Sequence, residues 1–245
     1  MSVDGTTVPV LAVIFVATLI RSAFGFGEAL VAVPLLALVI PIEVAVPLAV
    51  LLSITVAGVV VVQDWRHIHV RSAGWLLLST LFGIPVGLLV LTAVAEAVLK
   101  AVLGVVMIAF SLYCLFSRRP LELTTDRLAW AFGFSAGVLG GAYGMNGPPL
   151  VVYGALRRWP PAHFRATLQG YFLPASLLGM AGYWLAGLWV PAVTRYYLLS
   201  LPLAVAAVFL GRVVNRRLDG RRFLRYVHSG LVGVGTALVI QSLRR

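Results

Sequence analysis

Gly140-Gly141-Ala142-Tyr143-Gly144-Met145-Asn146-Gly147-Pro148-Pro149-Leu150 lies inside a hydrophobic stretch, 128–154, that is too long for one straight membrane crossing. Glycine relaxes the steric limits on the backbone, and consecutive prolines remove two N–H donors and suit the first turn of a new helix. The run therefore predicts a helix that breaks near 144–147 and a second helix that starts near Pro148. A second overlong stretch, 8–36, carries the same anomaly at Ala23-Phe24-Gly25-Phe26-Gly27-Glu28, where the new helix is predicted to start near Glu28. Phe24 and Tyr143 stand 119 residues apart, and the same offset pairs Gly25 with Gly144 and Pro41 with Pro160.

The rest of the chain sets these breaks in lipid. Of 245 residues, 61% are hydrophobic and 11% charged, against about 25% charged in a soluble domain. One core of this size cannot hide that much apolar surface. A soluble enzyme, a disulfide scaffold and a disordered tail are disfavoured, and helices that satisfy their own backbone groups in a bilayer are expected. The net charge is +11, and all but one of the 19 basic residues are arginine. Basic loops facing anionic headgroups account for that charge better than nucleic-acid binding does. Cys114 is the one cysteine, so an intrachain disulfide is excluded and a cysteine metal site is disfavoured. The N-terminus lacks Lys or Arg before Arg21, which reads as the start of a membrane segment and not as a signal peptide.

Eight hydrophobic segments are expected, at about 8–36, 44–62, 74–93, 97–116, 128–154, 167–190, 196–213 and 224–243. Each interrupted segment is followed by three more. The fold class is thus an all-α polytopic membrane protein of about eight transmembrane segments, built as two related four-segment halves with interrupted first helices. The halves are 1–117 and 118–245, forming one integral membrane domain. Short polar connections leave no room for a soluble domain. Lys and Arg divide almost evenly between the two sides. The arginine-rich 212–225 loop is placed in the cytoplasm, and the protein in the inner cell membrane. The six tryptophans lie mostly near segment ends, as an aromatic belt would.

Paired glycine- and proline-interrupted segments at matching places in two halves point to a transporter's binding site. A half-helix N-terminus inside the membrane carries partial positive charge and unpaired N–H groups, a natural seat for an anion. The candidate substrate-binding residues are Gly25, Gly27 and Glu28 in the first half and Tyr143, Gly144, Asn146 and Gly147 in the second. Tyr143 and Asn146 add side-chain hydrogen bonds. Arg165 and Gln169 join them from the run His163-Phe164-Arg165-Ala166-Thr167-Leu168-Gln169-Gly170-Tyr171, because residues four apart share a helix face and a guanidinium can fork onto an oxyanion. Snorkelling to the headgroups is the bland alternative for Arg165, and Arg157 and Arg158 suit that role better. Glu28 reads either as a carrier of a coupling proton or as an ion-pair partner of Arg21 or Arg165. His67 and His69 form a weak H-x-H pattern without a third ligand. No metal, cofactor or catalytic residue is expected, and nucleotide-binding and hydrolase motifs are missing.

At the two glycine motifs and at Phe164-Arg165-Ala166-Thr167 the chain resembles the sulfite exporter TauE/SafE family of membrane transporters. The run Gly140–Leu150 is similar to that family's second-half signature, and Gly25-Phe26-Gly27-Glu28-Ala29-Leu30-Val31-Ala32-Val33-Pro34-Leu35 to its first. Glu28 and Asn146 depart from a pattern that has further glycines there. The resemblance implies transport of a small sulfur-containing anion, sulfite or an organosulfonate. The expected function is therefore secondary transport by alternating access, with the anion near mid-membrane between the interrupted segments. An anion channel, a lipid-modifying membrane enzyme and a non-transporting partner subunit are the alternatives. The expected partners are the anion, the bilayer and a second copy in a homodimer.

Overall fold

A computed structural model describes residues 5–24, 27–64, 70–116, 122–123, 126–215 and 220–243. The side chains at 23–24, 59–64, 70–73, 126, 161–163, 165–166, 169, 212–215 and 220–224 are outside that description. The described residues form ten α-helices, one 3-10 turn at Asp126–Leu128 and no strand. In order they are α1 Thr7–Phe24, α2 Glu28–Ala37, α3 Ile42–Asp64, α4 Val70–Ala93, α5 Glu96–Phe116, α6 Ala129–Tyr143, α7 Gly147–Leu156, α8 Pro161–Leu185, α9 Pro191–Asn215 and α10 Gly220–Leu243. The two interrupted segments each resolve into a pair, α1 with α2 and α6 with α7. The remaining six segments are one helix each.

The helix boundaries repeat at the offset seen in the sequence. α1 and α6 end at Phe24 and Tyr143, and α2 and α7 run over Glu28–Ala37 and Gly147–Leu156. α3 and α8 begin at Ile42 and Pro161. Even the first-turn bonds correspond: the Ala45 N–H donates to the Pro41 carbonyl at 3.0 Å, and the Phe164 N–H to the Pro160 carbonyl at 2.9 Å.

α8 differs in register from its expected 167–190 span. It starts at Pro161 because Pro160, at φ −55° and ψ 146°, is extended and Pro161 is preset for a first helical turn. It stops at Leu185 because Gly187 adopts φ 73°. The Gly187 N–H then bonds the Trp184 carbonyl at 3.0 Å and the Leu188 N–H the Tyr183 carbonyl at 2.9 Å, the two bonds of a Schellman cap.

Four of the described helical stretches are long and apolar enough to cross a membrane: Gly74–Ala93, Glu96–Phe116, Pro191–Gly211 and Arg225–Leu243. Trp75, Trp130, Trp184 and Trp189 are exposed, as belt residues should be. Trp159 is not one of them. It is half-buried, with its ring edge-on to Tyr153 at 5.5 Å between centroids.

By contact the chain divides into two units, each taking helices from both sequence halves. The first comprises Met1–Ala49, Ala93–Arg118 and Val190–Arg245. Here α1 packs on α9 and α2, and α5 packs on α10. A Cβ on Gly104 would lie 2.5 Å from the Gly235 carbonyl oxygen, so only two glycines let α5 and α10 approach this closely.

The second unit comprises Val50–Thr92 and Arg119–Trp189. One seam runs between α4 and α6. A Cβ on Gly87 would sit 2.1 Å from the Val138 carbonyl oxygen, and one on Gly137 2.5 Å from the Thr80 carbonyl oxygen. Small residues at four-residue spacing on both helices bring the two backbones into contact, which drives association where lipid offers no hydrophobic gain. Leu150, Tyr153, Leu168, Tyr171 and Ala175 form the core in which α7 and α8 meet.

Candidate functional site

The second-half break is built by one glycine in an unusual conformation. Gly144 has φ 64°, in the left-handed region that an L side chain rarely occupies. Its N–H bonds the Gly140 carbonyl at 2.8 Å, closing α6 with an αL cap. The other glycines of the motif serve differently from the expectation of general backbone freedom. Gly140 and Gly141 lie within regular helix, and Gly147 is the first residue of α7. Gly141 packs against α4, where a Cβ would lie 2.2 Å from the Ile84 carbonyl oxygen. Gly140 makes room for Asn146, whose Oδ1 would be 2.3 Å from a Cβ there.

Asn146 is the N-cap of α7, yet its side chain does not cap that helix. It folds back, 8% exposed, and hydrogen-bonds the Tyr171 hydroxyl. That hydroxyl meets Thr80 Oγ1, which reaches the Leu76 and Gly133 carbonyl oxygens at 2.8 Å each. A carbonyl only accepts, so the direction that satisfies every group runs from the Asn146 amide to Tyr171, to Thr80, to a carbonyl. The chain fixes the tip of α7 against α4, α6 and α8.

Tyr183 secures the other side of the break. Its buried hydroxyl donates to the end of α6, 2.5 Å from the Gly140 and 3.0 Å from the Gly141 carbonyl oxygen. The Gly144 N–H faces the same hydroxyl. The Gly140 carbonyl, already bonded by the Gly144 N–H, thus accepts a second bond, and the Gly141 carbonyl at the helix end finds a partner away from water.

The tip of α7 presents few donors. Pro148 and Pro149 have no N–H, so the first turn offers the N–H groups of Asn146 and Gly147 together with the helix dipole. Tyr143 is buried beside them at the end of α6. Arg165 and Gln169 lie on α8, in the same unit, but their side chains fall outside the described residues. Arg157 donates from Nη1 to the Leu123 carbonyl oxygen at 2.9 Å, and exposed Arg158 pairs with Glu122 at 2.6 Å. Both are engaged at the edge of the unit.

The first-half break has a different character. Gly25 lies outside the described residues. Gly27 takes φ 96° and Glu28 opens α2. The Glu28 carboxylate is 2% exposed and Arg21 4%. Arg21 Nη1 donates to Glu28 Oε2 at 2.6 Å, and Thr18 Oγ1 donates to Glu28 Oε1 at 3.0 Å. Of the two partners considered for Glu28, the structure gives Arg21. The positive end of α2 therefore holds the protein's own carboxylate, while the matching end of α7 carries a neutral amide.

The sequence reading did not single out Thr18, Thr80, Tyr171 or Tyr183 as parts of either break. A usable signal existed, because a hydroxyl within an apolar segment must find a partner. Which carbonyl or amide it meets depends on helix packing. His67 and His69 lie outside the described residues, and no group of three metal-ligating side chains occurs among the described ones.

The family model described as Sulfite exporter TauE/SafE matches residues 10–239. A curated relative from Cupriavidus necator, named "Probable sulfite/organosulfonate exporter TauE", is 26% identical over 181 residues, covering 74% of this chain and 70% of the relative. No solved structure matches. The chain belongs to the sulfite exporter TauE/SafE family of membrane proteins.

Proposed function

We propose that the protein is a secondary transporter of a small sulfur-containing anion, sulfite or an organosulfonate, working by alternating access in the inner cell membrane. The two halves, 1–117 and 118–245, are related repeats that together cross the bilayer about eight times. The observation that carries the reading is the α6–α7 break, a helix tip inside an apolar unit whose first turn has the N–H groups of Asn146 and Gly147 beside a braced amide. Such a tip attracts a negative group and holds it without a full charge of its own. The name of the Cupriavidus relative supports sulfur oxyanions as the substrate class. Gly144 shapes the seat, Asn146 and Gly147 supply donors, and Tyr143, Arg165 and Gln169 complete it. Gly25, Gly27 and Glu28 form the corresponding part of the first half.

The test is a panel of sulfite, sulfonates, sulfate and carboxylates, scored by thermal stabilisation of the purified protein and by flux into proteoliposomes. Binding raises stability as RT ln(1 + [L]/Kd), so the ranking identifies the class. Saturable flux with counterflow is expected. Flux that never saturates would identify a channel instead. Arg165→Ala is expected to lower the apparent affinity at least tenfold with insertion intact, since a charge-assisted bond is worth about 1.5–3 kcal/mol. Unchanged kinetics would remove Arg165 from the site.

A further inference from the structure

The Glu28–Arg21–Thr18 cluster has no role in the anion seat on α7, and it is costly. A buried ion pair is often no better for stability than apolar side chains of the same volume. Charges at membrane depth mark function by default. Its geometry is informative. Each carboxylate oxygen has its own donor, the guanidinium at 2.6 Å on Oε2 and the hydroxyl at 3.0 Å on Oε1. A guanidinium and a hydroxyl set to take two oxygens of one anionic group would serve a sulfonate or sulfite equally well. The carboxylate stands at the first residue of α2, next to the positive-φ Gly27, where the helix dipole also favours negative charge.

We infer that Arg21 and Thr18 are a second oxyanion position, and that Glu28 is a tethered counter-anion occupying it until a proton displaces it. The sulfur-anion substrate class rests on the transporter reading above. The exchange balances simply. A proton adds to the Glu28 carboxylate, the neutral acid leaves Arg21 and Thr18, and the substrate's oxygens take the vacated donors. One proton enters with each monoanion, so the loaded cluster has the same net charge as the empty one. Among the described residues, the buried ionisable groups on helices packed against α1 and α2 are Tyr196 on α9, Lys100 on α5 and His228 on α10. Tyr196 is bonded to Thr6 and Lys100 to Glu96, which makes His228 the control.

The experiment measures uptake of methanesulfonate, whose charge is constant across the range, and of sulfite, by the full chain in proteoliposomes between about pH 5.5 and 8. In the wild type the apparent affinity for methanesulfonate should fall about tenfold per pH unit at the alkaline end, as expected for one linked proton. Uptake should be insensitive to an imposed membrane potential. Glu28→Gln should flatten the pH dependence and make uptake respond to the potential, because the anion then moves without its proton. His228→Gln should keep the wild-type profile. A double variant, Arg21→Gln with Glu28→Gln, leaves no unpaired charge and should insert normally but lose uptake. It carries the test if Glu28→Gln alone fails to fold. A wild-type pH slope in Glu28→Gln, wild-type uptake in the double variant, or a profile lost in His228→Gln overturns the inference and leaves the transporter reading standing. Absence of wild-type flux with both anions overturns the two together.

Discussion

Gly140→Ala is the smallest change that disturbs the tip of α7 without touching it. The added methyl carbon would lie 2.3 Å from Asn146 Oδ1 and 2.8 Å from its Cγ. Ordinary contact begins near 3.4 Å, so the amide must retreat by about 1 Å. It is the end of a flexible side chain, and it gives way before the backbone does. Retreat breaks its hydrogen bond to Tyr171, worth about 0.5–1.5 kcal/mol. Alanine in a helix offsets about 0.5–1 kcal/mol of that. The net stability change is then within about 1 kcal/mol of zero, a few degrees or less in Tm for a chain of this size. Under the proposed function transport should suffer more, because Asn146 belongs to the proposed seat. A loss of about 1 kcal/mol of substrate binding weakens apparent affinity about fivefold. The decisive measurement is a double-mutant cycle with Asn146→Ala, read by thermal unfolding in detergent and by sulfite flux. With Asn146 already truncated, the three atoms nearest to the methyl at 140 are gone, so Gly140→Ala should become neutral or stabilising. The expected coupling is about 1–2 kcal/mol. Effects that add within about 0.5 kcal/mol would show that the two residues do not interact as described, and the account of Gly140 would be wrong.

Three further outcomes follow from the same unit. Gly87→Ala sets a Cβ 2.1 Å from a backbone oxygen of α6, which cannot rotate away, so the helices must part at a cost of about 1–3 kcal/mol or more; a Tm within one degree of wild type would contradict the seam. Gly144→Ala forces a side chain into φ 64° and should cost about 1–2 kcal/mol, with Gly144→Asn milder in the same melting assay, since asparagine tolerates that conformation. Tyr183→Phe removes the hydroxyl shared by the Gly140 and Gly141 carbonyls and should cost about 0.6–1.7 kcal/mol, together with faster amide exchange at Gly144.

The break positions were legible because they depend on local chemistry. Glycine at 144 allows a left-handed residue, and prolines at 148 and 149 forbid continued hydrogen bonding whatever surrounds them. The family resemblance rested on the same run. Roles within the run were not legible. Gly140, Gly141 and Gly144 are one residue type in one motif, yet one clears an amide, one admits a neighbouring helix and one turns the chain. Glu28 was equally open between two arginines, both of which sequence spacing allows.

Composition and the spacing of apolar runs were enough to put this chain in a bilayer as helices and to mark where two of them break. Both are decided by transfer free energy and by backbone sterics within a few residues. Tertiary structure alone chose Arg21 as the partner of Glu28 and joined Asn146 to Tyr171 and Thr80, residues up to 91 apart in the sequence. It also regrouped the helices into units that draw on both halves. In lipid no hydrophobic gain orders the helices. Their arrangement depends on which small residues let two backbones touch and which buried polar group finds its complement, and neither is encoded in any single segment.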